Sequence, residues 1–223
     1  MKLHRRLAIA IAAAILPASA LAAQAPTPAP PAPGAATCEL HLWPAERMHS
    51  LSMGLLGGGL IDAAIHAGTD ASNRSQMASA LDSPSQLDAL QTLNLVTELA
   101  LPEGTTIVRH ETPLDRHTMN SIKTRRSDST AHCYYELHSA DVFYMKSTLY
   151  GRSLRTLFML RAFGEDQHID FEYKAWGGNR LHHFPPGEGE DVTVAITELV
   201  DVFKANFQEY AHNEREAQSR RRH

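Results

Sequence analysis

The sequence predicts an α+β fold: a mixed, largely antiparallel sheet with helices packed on it. Three observations carry this. Alternating apolar and polar segments begin at Cys38 and cluster in residues 131–176. A stripe of apolar residues three and four apart, Val192, Ile196, Leu199, Phe203, Phe207 and Tyr210, marks a closing helix. Helix-start and turn residues punctuate the chain between them. The resulting order is strand, helix or helices, strand, helix, three antiparallel strands, helix.

The chain opens with an export signature. Lys2, Arg5 and Arg6 precede an uncharged apolar run over residues 7–16, which Pro17 breaks. Ala18-Ser19-Ala20-Leu21-Ala22 then supplies small residues at signal-peptidase spacing, so residues 1–22 read as a cleavable signal peptide. A membrane-spanning helix needs ~20 apolar residues, about twice this run. Residues 23–37, AQAPTPAPPAPGAAT, cannot build a core and favour extended polyproline conformations, as a linker does.

Residues 38–212 then suffice for one domain with a core. Residues 38–43 alternate as a strand, stopped by Pro44. The apolar members of residues 46–67, among them Met48, Leu51, Leu55 and Ile61, recur at helical spacing. That helix either breaks at Gly57–Gly59 or packs closely against a neighbour, since glycine costs ~1 kcal/mol in a helix interior. Residues 68–83 read as loop. Ser83-Pro84-Ser85-Gln86 is a helix start, with serine as the expected N-cap and the helix running to residue 99.

A strand is expected over residues 105–111 and a short helix over 112–125. Residues 131–145 form one long strand or two with a bulge, because apolar parity shifts near residues 139–141. Residues 154–163 and 169–176 give two more strands, joined by a hairpin connection at 164–167. Ile169, Phe171, Tyr173 and Ala175 supply the buried face of the second. The closing helix starts with Glu188, Glu190 and Asp191, where the helix dipole favours anions, and residues 213–223 form a charged flexible tail.

Composition bounds the function. The formal charge is −4, and the segment 1–22 holds three basic and no acidic residues, leaving −7 beyond it. That balance argues against a nucleic-acid surface. A 43% hydrophobic and 21% charged content is ordinary for a globular protein. The two cysteines, Cys38 and Cys133, are expected to pair in an oxidising compartment, the alternative being two buried thiols. Lipidation of Cys38 fails on spacing, because the residue lies far beyond the apolar run.

The stretch Ala140-Asp141-Val142-Phe143-Tyr144-Met145, followed by residues 154–164 and 168–177, resembles the α/β fold of small bacterial envelope proteins. That group comprises curli-secretion lipoproteins, the TolB amino-terminal domain and auxiliary components of ABC-type transport. Many of its members are lipoproteins, whereas this chain lacks a lipobox. The resemblance implies a non-enzymatic accessory role in the envelope and transfers no individual site residue.

Chemistry-bearing motifs are sparse. Twelve of the thirteen histidines lie beyond residue 22, yet no HExxH occurs. His182-His183 are adjacent and would point to opposite faces of a strand. His132, Glu136 and His138 share strand parity and form a sensible divalent-metal set, although a solvated sheet face has the same pattern. Gly151-Arg152-Ser153-Leu154-Arg155 lacks the second glycine of a nucleophile elbow. Glu165 and Asp166 read as a turn, and Gly57-Gly58-Gly59 is followed by no Lys-Ser/Thr. The expectation is an exported, periplasmic, non-enzymatic accessory protein without a cofactor or nucleic-acid partner. It would lie at or near a membrane, bind an envelope or membrane protein, and have no transmembrane segment of its own after processing. A metal-binding protein and an exported hydrolase with dispersed residues are the alternatives.

Overall fold

The computed structural model describes residues 38–53, 79–114, 116–164 and 167–221. The signal peptide, the linker, the glycine-rich segment 54–59, and Glu165 and Asp166 lie outside them. The described elements are β1 (Cys38–Trp43), β2 (Met48–Met53), α1 (Ser83–Gln91), α2 (Leu95–Glu98), β3 (Thr106–Arg109), α3 (Arg116–Ser121), β4 (Cys133–Ser147), β5 (Gly151–Phe163), β6 (Ile169–Leu181) and α4 (Val192–Arg221). They form a mixed six-stranded sheet in the order β3-β1-β4-β5-β6, with β2 also on β4. The β4–β5 and β5–β6 pairs are long and antiparallel, whereas β1–β3, β1–β4 and β2–β4 are parallel.

The parity shift near residues 139–141 is a β-bulge in β4, between Ser139 and Asp141. It divides β4 into two halves with different neighbours. Cys38 to Trp43 pair with Cys133 to His138, and Met48 to Met53 pair with Val142 to Ser147. Thus β1 and β2 act as one strand interrupted opposite the bulge, where Pro44 cannot donate to the ladder. The interruption leaves backbone groups to satisfy. Buried Gln86 of α1 accepts from the Ala45 N–H at 2.9 Å and donates to the Ala45 and Leu81 carbonyls. The Ser83 hydroxyl donates to the Ala45 carbonyl at 2.9 Å.

Three expectations need correction. The helix expected from residue 46 is strand over Met48–Met53, because ladder pairing with β4 outweighs the helical spacing of Met48 and Leu51. The helix expected over residues 83–99 is two helices. Asp82, rather than Ser83, caps the first through the Ser85 N–H, since Ser83 is committed to Ala45. Asn94 caps the second through the Thr97 N–H. Finally, α4 continues to Arg221 where a flexible tail was expected from residue 213. Glu214 is buried on it, and Arg215 and Gln208 bond to Glu98 of α2, tying its last turns to the body.

The core lies between one sheet face and the helices α1, α2 and α4. Phe158 of β5 sits at its centre, 5.7, 5.4 and 5.4 Å from the rings of Phe203, Phe207 and Tyr210. The expected stripe of α4 faces the sheet, with Leu199, Phe203, Phe207 and Tyr210 fully buried. The same seam carries polar groups. Asn206 donates to the Leu154 carbonyl at 3.0 Å and accepts from Asn179 at 2.9 Å. Gly177 of β6 permits this approach, because a Cβ there would lie 2.1 Å from the Asn206 carbonyl oxygen. We expect Gly177→Ala to cost about 1–3 kcal/mol by overpacking, read from urea unfolding. An unchanged midpoint would mean that α4 is not seated this tightly.

Candidate functional site

The opposite sheet face carries a cluster of titratable side chains. Strand alternation and register build it. Glu39, His41 and Trp43 of β1 pair with Tyr134, Glu136 and His138 of β4, and Arg161 of β5 pairs with Glu136. His110, one residue past β3, stacks on Trp43 at 4.0 Å with the rings parallel. Residues 116–131 close over this face. Arg126 donates to the Thr118 and Met119 carbonyls, and Arg161 to the Ile122 carbonyl.

Glu136 is the hub, with 0% exposure. Its Oε1 accepts from the Arg126 N–H at 2.8 Å and from the Tyr134 hydroxyl at 3.1 Å. Its Oε2 lies 3.2 Å from His138 Nε2 and 3.3 Å from Arg126 Nε. Burial pushes the Glu136 pKa up, but the bond and charge of His138 and the bond and charge of Arg126 outweigh it. The carboxylate therefore titrates below its ordinary range. Burial also dominates at His138, which is 1% exposed: its pKa falls to about 4, although Glu136 pulls the other way. The neutral imidazole then donates from Nε2 to Glu136.

This sets an acid response. His138 folds with a pKa of about 4 against 6.5 for the free group, so the unfolded chain binds the proton first as pH falls. Its contribution is complete above pH 6.5 and is lost towards pH 4, a span worth roughly 3 kcal/mol. The lowered carboxyl of Glu136 adds a loss that begins below 4.5. Unfolding free energies should fall across this window, and His138→Phe should flatten the slope above pH 4.5. An unaltered slope in that variant would contradict the assignment.

A second chain of bonds runs beside the first. His110 Nε2 lies 2.8 Å from His41 Nδ1, His41 Nε2 lies 2.9 Å from Glu39 Oε2, and Ser129 donates to the same oxygen at 2.5 Å. The Ser129 and His41 bonds lower the Glu39 pKa, and burial followed by the His41 charge lowers that of His110. Ser129 thus faces a carboxylate and not an imidazole. A carboxylate held below its usual range is a weak base, so this order does not make an activated nucleophile. Both networks do tie β1, β3, β4 and the covering segment together.

Of the metal candidates read from the sequence, the structure brings Glu136 and His138 together. His132 does not join them; it is exposed, just ahead of β4, beside a surface pocket lined by Arg125, Thr130, Ala131 and Gln167. The face at Glu136 and His138 is buried under the covering segment and not solvated. Among the described residues no group of three or more His, Cys, Asp or Glu side chains is placed to hold a metal ion. His182 and His183 follow β6 in a bend, where Glu198 of α4 accepts from the backbone N–H groups of His182, His183 and Phe184. Sequence reading missed His41, His110, Glu39, Ser129, Arg126 and Arg161. Only the alternation of residues 38–43 hinted at two of them, Glu39 and His41.

Cys38 and Cys133 form a disulfide across the β1–β4 pair, with Cα atoms 4.5 Å apart. No helix among the described residues is long and apolar enough to cross a membrane.

No family model matches the chain, and no curated protein is similar to it. Similar solved structures include a Xanthomonas campestris protein of the family DUF330. It is 9% identical with a TM-score of 0.37, over 87% of this chain and 94% of that one. An uncharacterized protein is 11% identical with a TM-score of 0.31, over 81% and 99% of the two chains. A hypothetical protein from Chlamydia trachomatis is 8% identical with a TM-score of 0.29, over 79% and 98%.

Proposed function

We propose that this chain is an exported accessory protein of the bacterial cell envelope, working in the periplasm by binding a protein partner and turning over no substrate. The Cys38–Cys133 disulfide carries the reading. A bridged pair persists in an oxidising compartment, and it stands at the first residue after a signal-like leader and a proline-rich linker. The titratable clusters favour the same reading. Glu136, His138, His41 and Glu39 bond to one another and to neighbouring backbone and hydroxyl groups, as in a structural cross-link, and a hydrolase would need a base poised beside a nucleophile.

In-cell crosslinking of the tagged chain, followed by identification of what co-purifies, tests the proposal. A reproducible envelope partner is the expected result. A partnerless protein that hydrolyses a member of an ester, phosphate and peptide panel would overturn it.

A further inference from the structure

Among the described residues β3 is the shortest strand, and it stands at the sheet edge, paired with β1 alone. Its outer links are weak. Arg109 reaches Asp88, Gln91 and Glu111, but the two acids are 68% and 62% exposed, and surface ion pairs hold little. Its inner links are Ile107 against the core, the His110 N–H on the Leu42 carbonyl at 3.0 Å, and the His110 ring. That ring bonds to buried His41 and lies on Trp43.

The His41–His110 bond has a limited proton capacity. In the neutral pair the His41 Nε2–H donates to Glu39, so His41 Nδ1 accepts from the His110 Nε2–H. One added proton still leaves a single hydrogen between the two nitrogens, and the bond persists. A second sets N–H against N–H across 2.8 Å and places two imidazolium rings 5.1 Å apart. The surroundings offset one of those charges, because Glu39 touches His41 directly. They hold little for the other. Glu136, the register partner of His41, is bonded to Arg126 and His138. Burial keeps Tyr134, packed on His41, as the neutral phenol, and the Arg125 guanidinium over its ring adds positive charge. His138, beyond Trp43, is buried neutral, and Glu111 faces Arg109.

We propose that the His41–His110 pair is an acid-released clasp on the edge strand: it carries one proton with β3 docked, and a second breaks the pair and frees residues 106–110 from β1 while the core stays folded. Burial, and after it the His41 charge, lower the His110 pKa, so the docked strand resists the second proton. The undocked imidazole takes it near its ordinary 6.5, and falling pH therefore favours the open form. The device is independent of the envelope reading and adds a local, reversible opening to the global acid response of His138.

Hydrogen exchange of the whole purified chain at pH 7 and pH 5, corrected for the intrinsic effect of pH, tests it. Wild-type amides of residues 106–110 should quicken about tenfold relative to those of β5 and α4. His110→Gln keeps an N–H for His41 and gains no proton, so the acid quickening should vanish. His110→Phe removes the bond and should exchange fast at both pH values. Imidazole nitrogen spectra of the wild type should show both rings becoming cationic over the same interval. Equal protection of residues 106–110 at the two pH values, quickening that persists in His110→Gln, or a pair that keeps a single added proton at pH 5 would overturn the proposal. So would β3 and the core quickening together, which is the signature of global unfolding.

Discussion

Glu136→Ala should lower the unfolding free energy by about 3–5 kcal/mol, the largest loss expected from any single side chain of the polar cluster. The removed carboxylate is fully buried and partners the Arg126 backbone and guanidinium, His138 and the Tyr134 hydroxyl. Without it the nearly buried guanidinium of Arg126 keeps a charge with no opposing partner on that side. The covering segment would loosen from the sheet as a result. Two further variants separate lost pairing from lost packing. Glu136→Gln keeps the shape and one acceptor but turns an amide donor towards donors, so about half of the loss should remain. The double variant Glu136→Leu with Arg126→Met removes both charges and should be more stable than Glu136→Ala, because an apolar pair avoids the uncompensated charge. Urea unfolding at pH 7 measures all three. A loss below 1 kcal/mol for Glu136→Ala would contradict the role of Glu136 as hub.

The second large effect is expected at the disulfide. Cys38 and Cys133 are 95 residues apart in sequence, and closing a loop of that length stabilises the fold by about 4–5 kcal/mol in the chain-entropy model. The bridge also joins the first residue of β1 to the first of β4, so it sets the parallel register on which both polar networks depend. Cys38→Ser, Cys133→Ser and the double variant should unfold at the same lowered urea midpoint. Reductant should bring wild type to that midpoint and leave the variants unmoved. A reductant-insensitive wild type would mean that the bridge is not formed.

The elements most legible in the sequence were those whose partners are near in the chain. The β4–β5–β6 meander is closed by short connections, and its alternation and its bulge were both readable. The stripe of α4 was readable because one face of a long helix meets one sheet. Failures fell where distant segments decide. A helical spacing in residues 48–51 yields to pairing with residues 142–145, and a tail that looked solvated is fixed by Glu98. Ser83 fitted a cap locally but serves a strand break far back in the chain. The polar cluster was nearly invisible for the same reason. His41, His110 and Ser129 meet through two parallel pairings and a covering segment, and no sequence period records that meeting. Glu136 and His138 were seen as a pair because two residues of one strand suffice to bring them together.

Thiol trapping in fractionated cells tests whether the chain is exported with the Cys38–Cys133 pair oxidised. The protein should be recovered from the envelope fraction with a new amino terminus near Ala23. Both cysteines should resist alkylation until a reductant is added. Recovery from the cytoplasm with an intact leader and two freely alkylated thiols would contradict it.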